Sequence, residues 1–135
     1  MTPPFLDTDI LLYAALQPDA RSETARALLA RGGLISVQVL NEFTAVARRK
    51  LHRPWPEVTQ ALGALRTLLP APRPLTLAVH EAALRLAEAL GYTIYDALIL
   101  ASALEAGCDT LLSEDLQHGR VVDGRLTIRN PFLAP

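Results

Sequence analysis

Apolar residues in this chain fall into short runs separated by longer amphipathic stretches. Phe5-Leu6 ends at Asp7, and the apolar segment Ile10–Ala15 follows. The pattern predicts a strand near residues 4–7 and a short helical turn from about residue 10. Asp19, after Pro18, is placed to cap a helix over Ala20–Ala30 that stops at Gly32-Gly33. Leu34-Ile35 reads as a second short strand. Ser36 caps a helix from Val37 to Lys50, on which Leu40, Phe43 and Ala47 form an apolar stripe.

Pro56 at the first helical position and Glu57 in the first turn open a helix that runs to about Leu69. Pro70, Pro72 and Pro74 break it ahead of a short segment at Leu75. Thr76 caps a helix from Leu77 to Leu90, closed by Gly91. Thr93 opens the next helix with Asp96 as its capping-box partner, and Gly107 ends it. Thr110–Ser113 reads as a strand. Val121-Val122 and Leu126–Ile128, around the Asp123-Gly124 turn, are small terminal strands. Short apolar strands alternating with helices of about 10–15 residues predict one α/β domain over residues 1–135, with a small parallel sheet covered on both sides.

Composition narrows the classes. A chain of 135 residues suits one domain, and 50% hydrophobic residues with a mean hydropathy of +0.22 exclude intrinsic disorder. The net charge of -1 and pI near 6.3 argue against a bulk electrostatic grip on nucleic acid, so any such role must rest on a local patch. Cys108 is the lone cysteine, which excludes an internal disulfide or a thiolate zinc cluster. His52, His80 and His118 are scattered, with no metal-ligand spacing. The N-terminus lacks a signal-peptide pattern and the apolar runs fall short of a bilayer span, so a cytoplasmic protein without a membrane partner is expected.

The informative residues are acidic. Ligands of open α/β sheets bind beyond the carboxyl ends of the strands. Asp7 ends the first strand and Asp115 lies in the turn after Thr110–Ser113. Glu42 sits in the second turn of the helix after the second strand, and Asp96 in the first turn of its own. Such acids repel one another, and a divalent cation with a preference for oxygen ligands, Mg²⁺ or Mn²⁺, resolves the repulsion. The chemistry this points to is hydrolysis of a phosphate ester. Each acid also has a plain alternative: Asp96 as a helix cap, Glu42 as a solvated helix residue, Asp115 as a turn residue, Asp7 as a structural acid. Asp109 and Glu114 read as surface acids.

The segments FLDTDILLYA, ISVQVLNEF, YTIYDALILASALEAGCDTLLSEDLQHG and IRNPF, in this order, resemble the PIN-domain family. Within it they are most similar to the VapC-like toxin ribonucleases of type II toxin–antitoxin modules, over Phe5 to Phe132. The resemblance implies a small five-stranded parallel sheet between helices and a metal-dependent ribonuclease. It also implies that Asp7, Glu42, Asp96 and Asp115 hold Mg²⁺ or Mn²⁺. Thr8 and Ser113 match hydroxyl residues expected to orient ligands or bind waters. Asp9 stands where the family often has Asn, and reads equally as an extra ligand or as a residue with a local role. A homodimer and a small antitoxin partner are implied too, with the helices over Ala20–Ala30 and Trp55–Leu69 as the expected surfaces.

RNA must still approach an acidic chain. Arg48, Arg49, Lys50 and Arg53 form the dense basic cluster, suited either to guiding an RNA backbone or to complementing a helix dipole. Arg120, Arg125 and Arg129 are a second candidate patch, and His118 is either a phosphate contact or a turn residue. Three other readings compete. One is an RNA-processing PIN nuclease outside a toxin module, and another is a non-catalytic RNA- or protein-binding domain. The third is a haloacid-dehalogenase-type phosphohydrolase, which Asp7-Thr8-Asp9 imitates. That last scheme needs a lysine near the nucleophile, and Lys50 is expected at the far end of its helix.

Overall fold

Phe5 and Leu6 are both fully buried although successive strand residues point to opposite faces, so helices must cover both sides of the sheet they join. The computed structural model describes residues 2–133. Among these the order is β1 (Phe5–Leu6), α1 (Thr8–Ala15), α2 (Ser22–Arg31), α3 (Val37–Arg49), α4 (Trp55–Leu68), α5 (Leu77–Leu90) and α6 (Ile94–Glu105). Then come β2 (Thr110–Leu112), β3 (Val121–Val122) and β4 (Leu126–Arg129). The sheet order is β1-β2-β4-β3. β1, β2 and β4 are parallel, and β3 joins β4 antiparallel through a turn in which Asp123 and Gly124 take positive φ.

Beyond β1 the sheet continues as single rungs. Phe5 bridges Leu34 and Ser36 bridges Arg73, both in the parallel sense. Arg73 N–H donates to Ile35 O at 2.8 Å and Val37 N–H to Arg73 O at 2.9 Å. The sequence-predicted segment at Leu75 is therefore displaced: the rung forms at Arg73, and Leu75 is exposed. Gly33 is required where this edge closes, because a Cβ there would lie 2.7 Å from Leu6 Cγ and 3.0 Å from Pro4 O.

Most predicted caps form. Ser36 Oγ accepts from Val39 N–H, Thr76 Oγ1 from Val79 N–H and Thr93 Oγ1 from Asp96 N–H. Two helix starts differ from the sequence reading. α1 begins at Thr8 rather than near residue 10, because the Asp7 side chain accepts from Thr8 N–H at 2.7 Å and caps it. α2 begins at Ser22, since Asp19 spends its carboxylate on the Arg21 N–H of a preceding turn. α6 is buried from Ala97 to Ala103, which explains why it is apolar all round. α5 packs along α6, while α3 touches α1, α4 and α6. Among the described residues no single helix is long and apolar enough to cross a membrane.

Candidate active site

The parallel register Leu6↔Leu112 sets the residues that follow, Asp7 and Ser113, side by side at the carboxyl edge of the sheet. Asp7 N–H donates to Leu112 O at 3.0 Å, and the buried Ser113 hydroxyl donates to Asp7 Oδ2 at 2.7 Å. The same Oγ accepts from the N–H groups of Asp115 and Leu116, at 3.2 and 3.3 Å. One donor and two lone pairs are thus all used.

Asp7, Glu42, Asp96 and Asp115, from four separate segments, line one cleft of about 280 Å³. Thr8, Asp9 and Glu114 line it with them. Asp96 has its main-chain N–H bonded to Thr93 and is one of the cleft's lining residues. Glu42 is steadied by Gln38, whose Nε2 donates to Glu42 Oε2 at 3.3 Å. Asp9 is buried, and its Oδ2 accepts from Glu114 N–H at 2.7 Å. Thr8 Oγ1 and Asp9 Oδ1 are buried without a hydrogen-bond partner.

Asp7, Asp9, Glu42, Asp96 and Asp115 each have their proton affinity raised. Burial is the main cause throughout, and repulsion between the carboxylates adds to it. Asp7 is pushed up to about 6 despite the Ser113 and Thr8 bonds, which pull the other way. Asp9 rises to about 8 through burial and then through the Asp7 charge. Glu42 rises to about 7 through burial and repulsion from Asp7. Asp96 and Asp115 are raised as well, Asp115 partly relieved by Lys50.

A hard divalent cation fits this donor set: every candidate ligand is an oxygen, and the raised proton affinities measure an electrostatic cost that a cation removes. Among the described residues no three His, Cys, Asp or Glu side chains stand in a finished metal-holding arrangement.

The basic cluster splits. Glu42, Val46 and Lys50 recur every four residues, so one face of α3 and its C-cap carries all three into the cleft. Lys50 is therefore at the site, contrary to its expected distance from it. Arg49 lines an adjoining groove with Glu42 and Tyr95. Arg48 turns away, its guanidinium 4.5 Å from the Trp55 ring centroid and its Nη1 donating to Arg53 O. Arg53 donates to Leu16 O and pairs with Glu57. Arg120, Arg125 and Arg129 are not among the cleft residues; Arg120 stacks on Tyr92 and Arg125 pairs with Asp123. His118 serves the turn, accepting at Nδ1 from Asn130 N–H. Glu114, read as a surface acid, instead lines the cleft and accepts from Tyr13 Oη. The Gln38–Glu42 spacing of four was a legible signal for that pair; no local signal marks Tyr13 with Glu114.

A family model described as "PIN domain" matches residues 5–123. The chain belongs to the PIN-domain family. This removes the haloacid-dehalogenase-type reading, to which Lys50 would otherwise have lent support. No curated protein matches the chain. Among solved structures, this PIN domain is similar to VapC20 of Mycobacterium tuberculosis, described as a sarcin–ricin loop cleaving toxin. The TM-score is 0.67 at 22% identity, covering 82% of this chain and 90% of that one. A toxin–antitoxin complex from Klebsiella pneumoniae gives 0.70 at 19% identity, over 96% and 98%. VapBC2 from Rickettsia felis, bound to a DNA fragment from its promoter, gives 0.67 at 21% identity, over 93% and 96%. At these identities the likeness is one of fold.

Proposed function

We propose that this PIN domain is a Mg²⁺- or Mn²⁺-dependent ribonuclease and the toxin of a toxin–antitoxin pair. The observation that carries the reading is the convergence of Asp7, Glu42, Asp96 and Asp115 on one cleft, with the proton affinity of each raised. A bound divalent ion would polarise a phosphoryl oxygen and supply an activated water. Asp7, pinned by Ser113, would offer a fixed carboxylate to that ion, with Asp96 and Asp115 as further ligands from α6 and the β2 exit. Glu42, steadied at Oε2 by Gln38, would hold the ion with them and help to orient the attacking water. Lys50 meets an RNA phosphate at the mouth of the cleft, and Arg49 extends that contact along α3.

The antitoxin reading is supported by the toxin–antitoxin assemblies among the structural neighbours and by an apolar cleft of about 640 Å³. Ala14, Leu29, Ala61, Leu65 and Leu68 are among its lining residues, so α1, α2 and α4 form it. Leu77, Leu84 and Tyr95, exposed on α5 and α6, offer an apolar surface to a second copy of the chain. A cytoplasmic location suits an RNA substrate.

Incubating wild-type and D7N protein with total RNA in Mg²⁺, Mn²⁺ or EDTA tests the nuclease reading. Wild type in Mg²⁺ or Mn²⁺ alone should create new RNA ends, whose sequencing identifies the substrate. Identical behaviour of the two proteins in every buffer refutes it. A small-protein gene immediately upstream separates a toxin from an RNA-processing PIN nuclease.

A further inference from the structure

Glu114 is held both at its main chain and at its side chain. Its main-chain N–H donates to Asp9 Oδ2 at 2.7 Å within the site. Its carboxylate is gripped as well: the Tyr13 hydroxyl donates to Oε1 at 2.8 Å, and Arg21 Nε approaches Oε2 at 2.7 Å. The same guanidinium pairs through Nη1 with Asp19 Oδ1 at 3.0 Å and lies 5.2 Å from the Tyr13 ring centroid. Phe132 packs edge-on to that ring, at 5.4 Å and 83°.

A lone ion pair with side chains 42% and 24% accessible would add little to stability. Here, however, both oxygens of one carboxylate are occupied, and the groups that hold it come from α1 and the approach to α2. The turn they grip leaves β2 and carries Glu114 and Asp115 in succession. Inside the turn itself, the Ser113 hydroxyl accepts from the amides of Asp115 and Leu116. A side chain held from α1 and from the approach to α2 therefore steadies the main chain that bonds Asp9 and carries Asp115.

We propose that Tyr13 and Arg21 are positioning residues: by clasping the Glu114 carboxylate they fix the Ser113–Leu116 turn, and with it Asp9 and Asp115, at the metal-binding cleft. The inference rests on the nuclease reading of that cleft. Outer partners of metal ligands typically change metal affinity or activity by roughly 10–100-fold, which sets the scale of the expected effect.

The test compares wild type with E114A, with Y13F, which keeps the ring and its packing, and with R21A. Mn²⁺ affinity is measured by calorimetry without RNA, amide exchange is followed over residues 113–116, and kcat and KM are measured on the identified RNA. Thermal melting confirms that each variant is folded. E114A should bind Mn²⁺ roughly tenfold more weakly. It should also exchange the amides of residues 114 and 115 faster, and lose kcat at unchanged KM. Y13F and R21A should move the same way by less. Wild-type Mn²⁺ affinity and exchange in both E114A and Y13F would overturn the clasp. So would an R21A that raises KM alone, since Arg21 would then be contacting RNA directly. Wild-type protein that binds Mn²⁺ but cuts no RNA sinks the nuclease reading instead, and the clasp is then decided by affinity and exchange.

Discussion

Ser113 and Asp7 are 106 positions apart in the chain, yet the Ser113 hydroxyl donates to Asp7 Oδ2 at 2.7 Å in a fully buried contact. That bond favours the ionised carboxylate against a burial cost that pushes the other way. It also lets one oxygen organise both the first acid of the site and the turn that carries the last.

S113A should consequently raise the proton affinity of Asp7 further and leave the Asp115 and Leu116 amides without their acceptor. The acid-side midpoint of the pH–rate profile should move to higher pH, because Asp7 must lose its proton to serve. Stability in urea at pH 7 should fall by about 1–3 kcal/mol, the cost of leaving buried polar groups unpaired. An unshifted profile would remove Ser113 from the site.

The metal-free protein should lose stability as pH rises from about 4 to 8. Asp7, Glu42 and Asp9 hold protons in the folded state up to about 6, 7 and 8, whereas in the unfolded chain they release them near their ordinary values. The folded state therefore binds more protons across that window, and stability falls with pH. Mg²⁺ or Mn²⁺ should raise the melting temperature more at pH 8 than at pH 5.5, where protons already screen the cluster. D9N keeps an acceptor for Glu114 N–H while removing the charge. It should stabilise the metal-free protein by more than about 1 kcal/mol at pH 8. Differential scanning calorimetry across pH checks both, and a flat stability profile would contradict them.

Lys50 and Arg48, close in sequence, should behave differently. K50A should weaken binding of an RNA oligonucleotide and lower the salt slope by about one phosphate contact. R48A should leave RNA binding alone and cost about 1 kcal/mol of stability, because its guanidinium is spent on Trp55 and Arg53 O. Fluorescence anisotropy with Ca²⁺ replacing Mg²⁺, at two salt concentrations, separates binding from cleavage. Equal losses in both variants would mean the whole cluster faces RNA.

Much of this site was legible locally. An acid ending an apolar strand, Asp7, and a helix capped by Ser36 that bears Glu42 follow from short-range patterns. So does a Thr93 cap with Asp96 three residues on. These succeed because strands, caps and helix faces are set by neighbours within about one turn. The starts of α1 and α2 differ from the local pattern for the same reason in reverse: an Asp beside a helix can cap it, as Asp7 does, or close a turn, as Asp19 does, and the local composition is the same.

Chain order and residue type thus specified an α/β domain with acids at the carboxyl edge of its strands, since hydrophobic period and capping chemistry are local properties. Tertiary structure alone decided which polar groups meet across the sheet edge. Glu114 looks like any exposed acid until Tyr13, 101 positions earlier, reaches it, and Asp9 until the Glu114 amide, 105 positions later, holds it. Arg48 and Lys50 look equivalent until Trp55 takes one and the acidic cleft the other. Such pairings depend on the register of β1 against β2 and on how α3 packs against α1 and α6. A register is a relation between distant segments, and no window along the chain contains it.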